Sequence, residues 1–243
     1  MNFFKRLVSK SAAVIVLGLS LFTSSLFAEL YISEYAESTS YHDQYIEVTN
    51  GGDSTIDLRD YSILSCTDKC TTYYEKYAPY NSSTNDNYDF HLLEAGQSFV
   101  LARTAATNTT IENNQDGQYQ YLYFSGNDAI ALVKEEAGFT AQSFKTDSSV
   151  YTVIDVVGEL TTGATATTWS VCGVSAATKD KTLVKKPGKT GNTDWTSSRG
   201  TSADDCDWIV KNNSDFNDIG EHTATLKVWD FNGTVHDFTP SNN

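Results

Sequence analysis

Leu30–Glu37 reads LYISEYAE, and Gln44–Asn50, a few residues on, reads QYIEVTN. These two stretches decide the fold. In an extended chain successive side chains point to opposite faces, so Leu30, Ile32 and Glu34 are expected to share one face. In the second stretch Ile46 and Val48 alternate with Tyr45, Glu47 and Thr49. Both are rich in the β-branched and aromatic residues that suit a pleated, half-buried surface. Asn50-Gly51-Gly52-Asp53 then breaks the pattern with a turn. The two stretches predict strands at the start of a β-domain.

Directly upstream lies an export segment. Lys5, Arg6 and Lys10 give it a positive start, Ser11 to Phe22 an apolar run, and Leu26-Phe27-Ala28 a cleavage site. The run is shorter than the ~20 residues a bilayer span needs, so residues 1–28 are predicted to be a signal peptide rather than an anchor. Cleavage removes three of the 17 Lys+Arg and none of the 31 Asp+Glu, which takes the formal charge from −14 to −17. Non-specific binding to nucleic acid or to an anionic membrane relies on Lys and Arg, so both are disfavoured. A secreted or periplasmic protein is expected.

All four cysteines, Cys66, Cys70, Cys172 and Cys206, follow the signal. An even number in an oxidising compartment predicts two disulfides, for which three pairings exist. The favoured one joins Cys66 to Cys70 across a small loop and Cys172 to Cys206, tying a strand to an acidic loop. C-x3-C with two distant cysteines and no His pair is a poor zinc pattern.

The remaining chain reads as strands and polar loops, with no clean helical period. Leu58, Tyr61, Ile63 and Leu64 mark a further strand, and residues 66–89 a long inserted loop. Phe90–Leu93 and Ser98–Ala102 are a predicted strand–turn–strand, and Thr104–Gln118 a polar loop. Tyr119–Phe124 and Ala129–Lys134 are predicted to form a hairpin around Ser125–Asp128, with Leu122 and Phe124 facing the core beside Ile130 and Leu132. Val150–Glu159 is a strand covered on both sides. Trp169–Cys172, Thr182–Lys186, Trp195 and Trp208–Lys211 follow at spacings typical of a sandwich. Ala224–Trp229 and Thr234–Phe238 form a last candidate hairpin.

Eight pieces then fall in a meaningful order: LYISEYAE, QYIEVTN, IDLRDYSI at Ile56–Ile63, YFSGNDAIALVK at Tyr123–Lys134, VIDVVGE at Val153–Glu159, KTLVKKP at Lys181–Pro187, Trp195, and DIGEHT at Asp218–Thr223. Together they resemble the lamin tail domain family. The resemblance implies an all-β, immunoglobulin-like sandwich with long loops over residues 29–223, and leaves 224–243 as a C-terminal extension. Family members include interaction modules of nuclear lamins. The chain is similar to the secreted bacterial members, which stand alone or accompany extracellular nucleases, phosphatases and other hydrolases. It departs from them in its long loop at 66–89, in Arg59 and Arg199, and in its tail. Within the motifs, Ile56, Leu58 and Tyr61 are expected to plug one end of the sandwich while Asp57 and Asp60 satisfy turn amides. Gly126 and Asn127 are expected to supply positive φ. Asp155, inside an apolar strand, is expected to hydrogen-bond a neighbouring loop or to lie at an edge.

The four histidines, His42, His91, His222 and His236, show no HExxH or other paired ligand spacing. No G-x-S-x-G elbow or P-loop is present. Hard oxygen ligands suited to calcium are dense in three loops, at Asp86 with Asp89, at Asp204, Asp205 and Asp207, and at Asp215 with Asp218. None follows the twelve-residue calcium-loop pattern. Tyr73, Tyr74, Tyr77, Tyr80 and Tyr88 form a further candidate site, either exposed for stacking and contact or packed down as a lid. The expectation is a non-catalytic interaction or adhesion module that binds a protein or an extracellular polymer, possible accessory of a secreted hydrolase. The alternative is a small calcium-assisted nuclease or phosphatase.

Overall fold

β1 (Leu30–Glu37) pairs antiparallel with β2 (Tyr45–Asn50), and all fourteen of their side chains are buried. Complete burial of both strands requires cover on both faces of the sheet. The computed structural model describes residues 30–67, 74–79, 91–140, 147–160, 167–222, 226–229 and 235–238. Within it, β1 and β2 are central strands of a six-stranded sheet. The outer members are β7 (Ser98–Arg103) and β8 (Gly117–Tyr119) on one side, and β11 (Lys181–Lys185) and β12 (Trp208–Lys211) on the other. A four-stranded sheet of β10 (Tyr151–Val157), β9 (Ala129–Glu135), β4 (Tyr61–Cys66) and β5 (Tyr74–Tyr77) packs against it. β3 (Ile56–Asp57) and β6 (Leu92–Leu93) make a small pair at one end. β13 (Leu226–Trp229) and β14 (Val235–Phe238) pair as a separate two-stranded sheet. The fold is the expected all-β sandwich.

The main core lies between the two large sheets. Leu30, Ile32, Tyr35, Ile46 and Val48 meet Ile63, Ile130, Leu132, Val156 and Val157 there. A second, smaller core covers the outer face of the six-stranded sheet. Ala36, Tyr45, Val100 and Ala102 pack under Ile111, from a short helix over Thr109–Asn114, and under Phe216 and Ile219.

Several local expectations are corrected. The register of β1 shifts between Ile32 and Glu34 against β2, a β-bulge at Ser33. An extra residue flips the alternation, so Tyr35 faces the main core and Glu34 joins Tyr45 on the outer face. Tyr119–Phe124 does not pair with Ala129–Glu135; β9 pairs with β4 and β10, while Leu122 and Phe124 still enter the main core from a loop. The polar stretch Thr104–Gln118 holds the short helix, capped by the Asn108 side chain on the Thr110 amide, and the start of β8. Trp169–Cys172 is not a strand, and Trp195 opens a short helix over Trp195–Arg199, capped by Asp194. Gly126 is absent from the positive-φ positions. Space is what it supplies: a Cβ there would stand 2.5 Å from Lys179 Cβ and 2.8 Å from Thr178 O.

Candidate functional site

The described surface carries few large exposed apolar side chains, and three of them gather at one end of the six-stranded sheet: Tyr41 at 50%, Tyr121 at 61% and Tyr123 at 55% exposure. Arg103, the last residue of β7, lies between two of these rings, with its guanidinium carbon 4.9 Å from the Tyr41 centroid and 5.6 Å from that of Tyr123. A guanidinium over an aromatic face is attracted by the ring quadrupole. Arg103 Nη1 also donates to Tyr41 O at 3.2 Å. The His42 ring lies 3.8 Å from that of Tyr41. Arg103 Nε and His42 Nδ1 are buried there without a hydrogen-bond partner.

The platform is braced from below. Asp43 accepts from the Thr107 and Asn108 amides at 2.7 and 2.9 Å, locking the 40–43 turn to the chain after β7. Gln44 reads both backbone groups of Phe124, donating to its carbonyl at 2.6 Å and accepting from its amide at 3.4 Å. Tyr119 packs edge-on against Tyr121, and Tyr77 edge-on against Tyr119, so a line of rings runs from the core to the surface.

Two groups of ionisable side chains are buried, one between the sheets and one on the outer face of the six-stranded sheet. Asp155 and Lys185 are both fully buried, with Lys185 Nζ 3.0 Å from Asp155 Oδ2 and 3.9 Å from the Trp208 ring centroid. The same carboxylate accepts from the Ile32 amide at 3.0 Å and the Asn192 amide at 3.0 Å. Asp155 thus joins β10 of one sheet to β1 and β11 of the other. Burial pushes its carboxyl up, while Lys185 and the two amides pull it back. On the outer face, Glu34 and Glu47 stand directly opposite each other on β1 and β2. Tyr45 Oη donates to Glu34 at 2.6 Å; Ser33 Oγ and the Gly220 amide donate to Glu47 at 2.6 and 2.7 Å.

The profile of the Lamin Tail Domain family matches residues 23–158. The chain belongs to this family. The match ends after β10, yet β11 and β12 lie in the same sheet as β1, so the sandwich itself runs on to Lys211. A crystal structure of a DUF4876 family protein from Bacteroides thetaiotaomicron VPI-5482 is similar at 12% identity, over 88% of this chain and 75% of that one, with a TM-score of 0.36. No curated protein matches the chain.

The residues singled out in the sequence take varied places on this lamin tail domain. Asp57 accepts from the Arg59 amide and side chain, which fulfils its expected turn role. Asp155 bonds to a neighbouring loop through Asn192 and lies in the interior rather than at an edge. Cys172 and Cys206 form a disulfide with Cα atoms 5.2 Å apart, and Cys66 is disulfide-bonded; Cys70 lies outside the described residues. Asp86, Asp89, Tyr73, Tyr80 and Tyr88 also lie outside them, and Tyr74 is described by its backbone alone.

The other acidic candidates are engaged locally. Asp205 accepts from the Thr201 and Ser202 amides and from both hydroxyls, and these bonds hold its carboxyl far below the usual range. Burial pushes Asp207 up, but Asn192 and Lys189 outweigh it and hold it below its ordinary value. Asp215 accepts from Asn217, and Asp218 pairs with Lys211. Asp204 is exposed. Among the described residues no three His, Cys, Asp or Glu side chains are grouped to hold a metal ion.

Tyr77 is 0% exposed and donates to Tyr121 O at 3.1 Å, so it belongs to the core and is unavailable as an exposed anchor. His222 is structural: its ring meets Tyr31 edge-on, and burial lowers its pKa to about 4. The sequence reading missed Tyr41, Arg103 and Tyr123. The signal lay in the alternation that buried Leu122 and Phe124, since it also turned Tyr121 and Tyr123 outward. Among the described residues no helix is long and apolar enough to cross a membrane.

Proposed function

We propose that this lamin tail domain is a secreted, non-catalytic interaction or adhesion module for an extracellular polymer or protein, and that Tyr41, Arg103, Tyr121 and Tyr123 form its contact surface. One observation carries this reading: three exposed tyrosines, on loops braced by buried polar side chains, gather about an arginine at the end of β7. Tyr and Arg dominate contact energies because they bring large area, donors and few freely rotating bonds. Pre-ordered loops keep the entropy cost of binding low. A module of this kind would serve alone or beside a secreted hydrolase.

The test is retention of cell-surface and matrix components by the immobilised full chain, with a Tyr41→Ala/Tyr123→Ala variant beside it. Retention that the variant loses supports the proposal. Equal retention by both proteins, or by neither, refutes it. Turnover of DNA or of a phosphate ester by the purified chain, with or without calcium, would favour a hydrolase instead.

A further inference from the structure

We propose that the tyrosine platform takes the flat face of a neutral, hydroxyl-rich polysaccharide. This rests on the platform being the contact surface, and it names the class of polymer that the surface fits.

Three features favour a sugar chain. A pyranose ring is apolar on its C–H faces and polar around its rim. Tyr41 and Tyr123 each share a ring face with Arg103 but stay half exposed, so each keeps apolar ring surface open beside its phenolic hydroxyl. The guanidinium between them suits the rim. A guanidinium only donates, and a sugar presents hydroxyl and ring oxygens that accept. Arg103 spends Nη1 on Tyr41 O and its Nε is buried, as is His42 Nδ1, which leaves Nη2 free of any hydrogen bond among the described residues. Ligand sites of this kind combine ring faces with a small number of placed polar groups.

Charge selects among polymers. With a formal charge of −14 over the whole chain, and −17 once residues 1–28 are removed, the protein repels polyanions at long range. One arginine held between two rings does not offset that field. A neutral polymer meets no such barrier.

The distribution of apolar surface separates a sugar from a protein partner. Stable protein interfaces bury roughly 800 Å² on each side around an apolar centre. The other large exposed apolar side chains, Leu92, Val174 and Ile209, sit on β6, beside the Cys172 turn and on β12. Among the described residues they do not extend the platform into a broad patch. The surface is a set of separate rings with polar residues between them, suited to successive sugar units.

The test is affinity electrophoresis of the full chain through gels containing hydroxyethyl cellulose, neutral xylan, galactomannan or dextran, with polygalacturonate as the charged counterpart. At least one neutral polysaccharide is expected to retard the protein. Tyr123→Ala should weaken that binding about tenfold, and Tyr41→Ala/Tyr123→Ala should abolish it with an unchanged melting temperature. Retardation by none of the neutral polymers, retardation by polygalacturonate alone, or equal retardation of the variants overturns the sugar assignment. Tyrosine-dependent retention of a protein in the pull-down, without retardation by any polysaccharide, would sink this assignment and leave the interaction module standing. Failure of both experiments would sink both.

Discussion

Glu34 and Glu47 give the fold a stability that should fall as pH rises. The two carboxyls lie opposite each other on the outer face of β1 and β2, and both residues are 0% exposed. Around them stand Tyr31, Tyr45, Asp116, Lys211, Asp218 and His222. Burial, followed by the charge of Glu47, raises Glu34 to about 9 despite the hydrogen bond from Tyr45. Burial raises Glu47 to about 7 against the hydrogen bonds from Ser33 and Gly220. Glu34 Oε1 is buried without a partner, which is tolerable for a neutral acid and costly for an anion.

Both folded values exceed the ordinary 4.5, so the native state binds protons that the unfolded chain has released. The stabilisation is fully present below about pH 4.5 and is lost as pH rises towards the folded values. One retained proton is worth about 1.4 kcal/mol per pH unit. From pH 5 to pH 7 one proton held by the pair therefore removes about 3 kcal/mol. In a domain of this size that is roughly 6–12 °C of melting temperature. Glu34→Gln keeps an acceptor for Tyr45 Oη and cannot titrate. Calorimetry at pH 5, 6 and 7 should show the variant losing much less stability than the parent over this range. The overall negative charge also penalises high pH, so Glu94→Gln, at an exposed turn, controls for the loss of one charge. Parallel pH slopes for the parent and Glu34→Gln would refute the reasoning.

Two further substitutions probe the interior. Lys185→Met strands the Asp155 carboxylate between the sheets without its countercharge, and should cost about 3–5 kcal/mol. The loss measured by denaturant unfolding should be larger at pH 8 than at pH 5, where Asp155 can take up a proton, and an equal loss at both would count against the ion pair. Gly126→Ala places a methyl group 2.5 Å from Lys179 Cβ and 2.7 Å from its Cα. Overpacking against backbone should cost about 1–3 kcal/mol, seen as a lower urea midpoint, and an unchanged midpoint would show that the two loops can move apart.

What the sequence revealed and what it withheld divide along one physical line. Alternation, or in β10 a continuous apolar run, marked β1, β2, β4, β9 and β10, because a strand's burial follows a local pattern. Asp57 was legible for the same reason, since its partner is two residues away. The bulges were not legible. Ser33 in β1 and Ile154 in β10 each add one residue to a ladder, and no composition signal marks the flip. Their consequence is large: a one-residue insertion turns Glu34 away from the main core and towards Tyr45 and the outer-face cluster. The same limit applies to the platform. Tyr41 precedes β2, Arg103 ends β7 and Tyr123 follows β8, so their meeting depends on β2 pairing with β7 and β7 with β8. A lone arginine at a strand end reads as solvated charge until that pairing sets it between two rings. Core residues are fixed by local periodicity, which a single chain displays. Surface sites in this sandwich are fixed by strand order, which it does not.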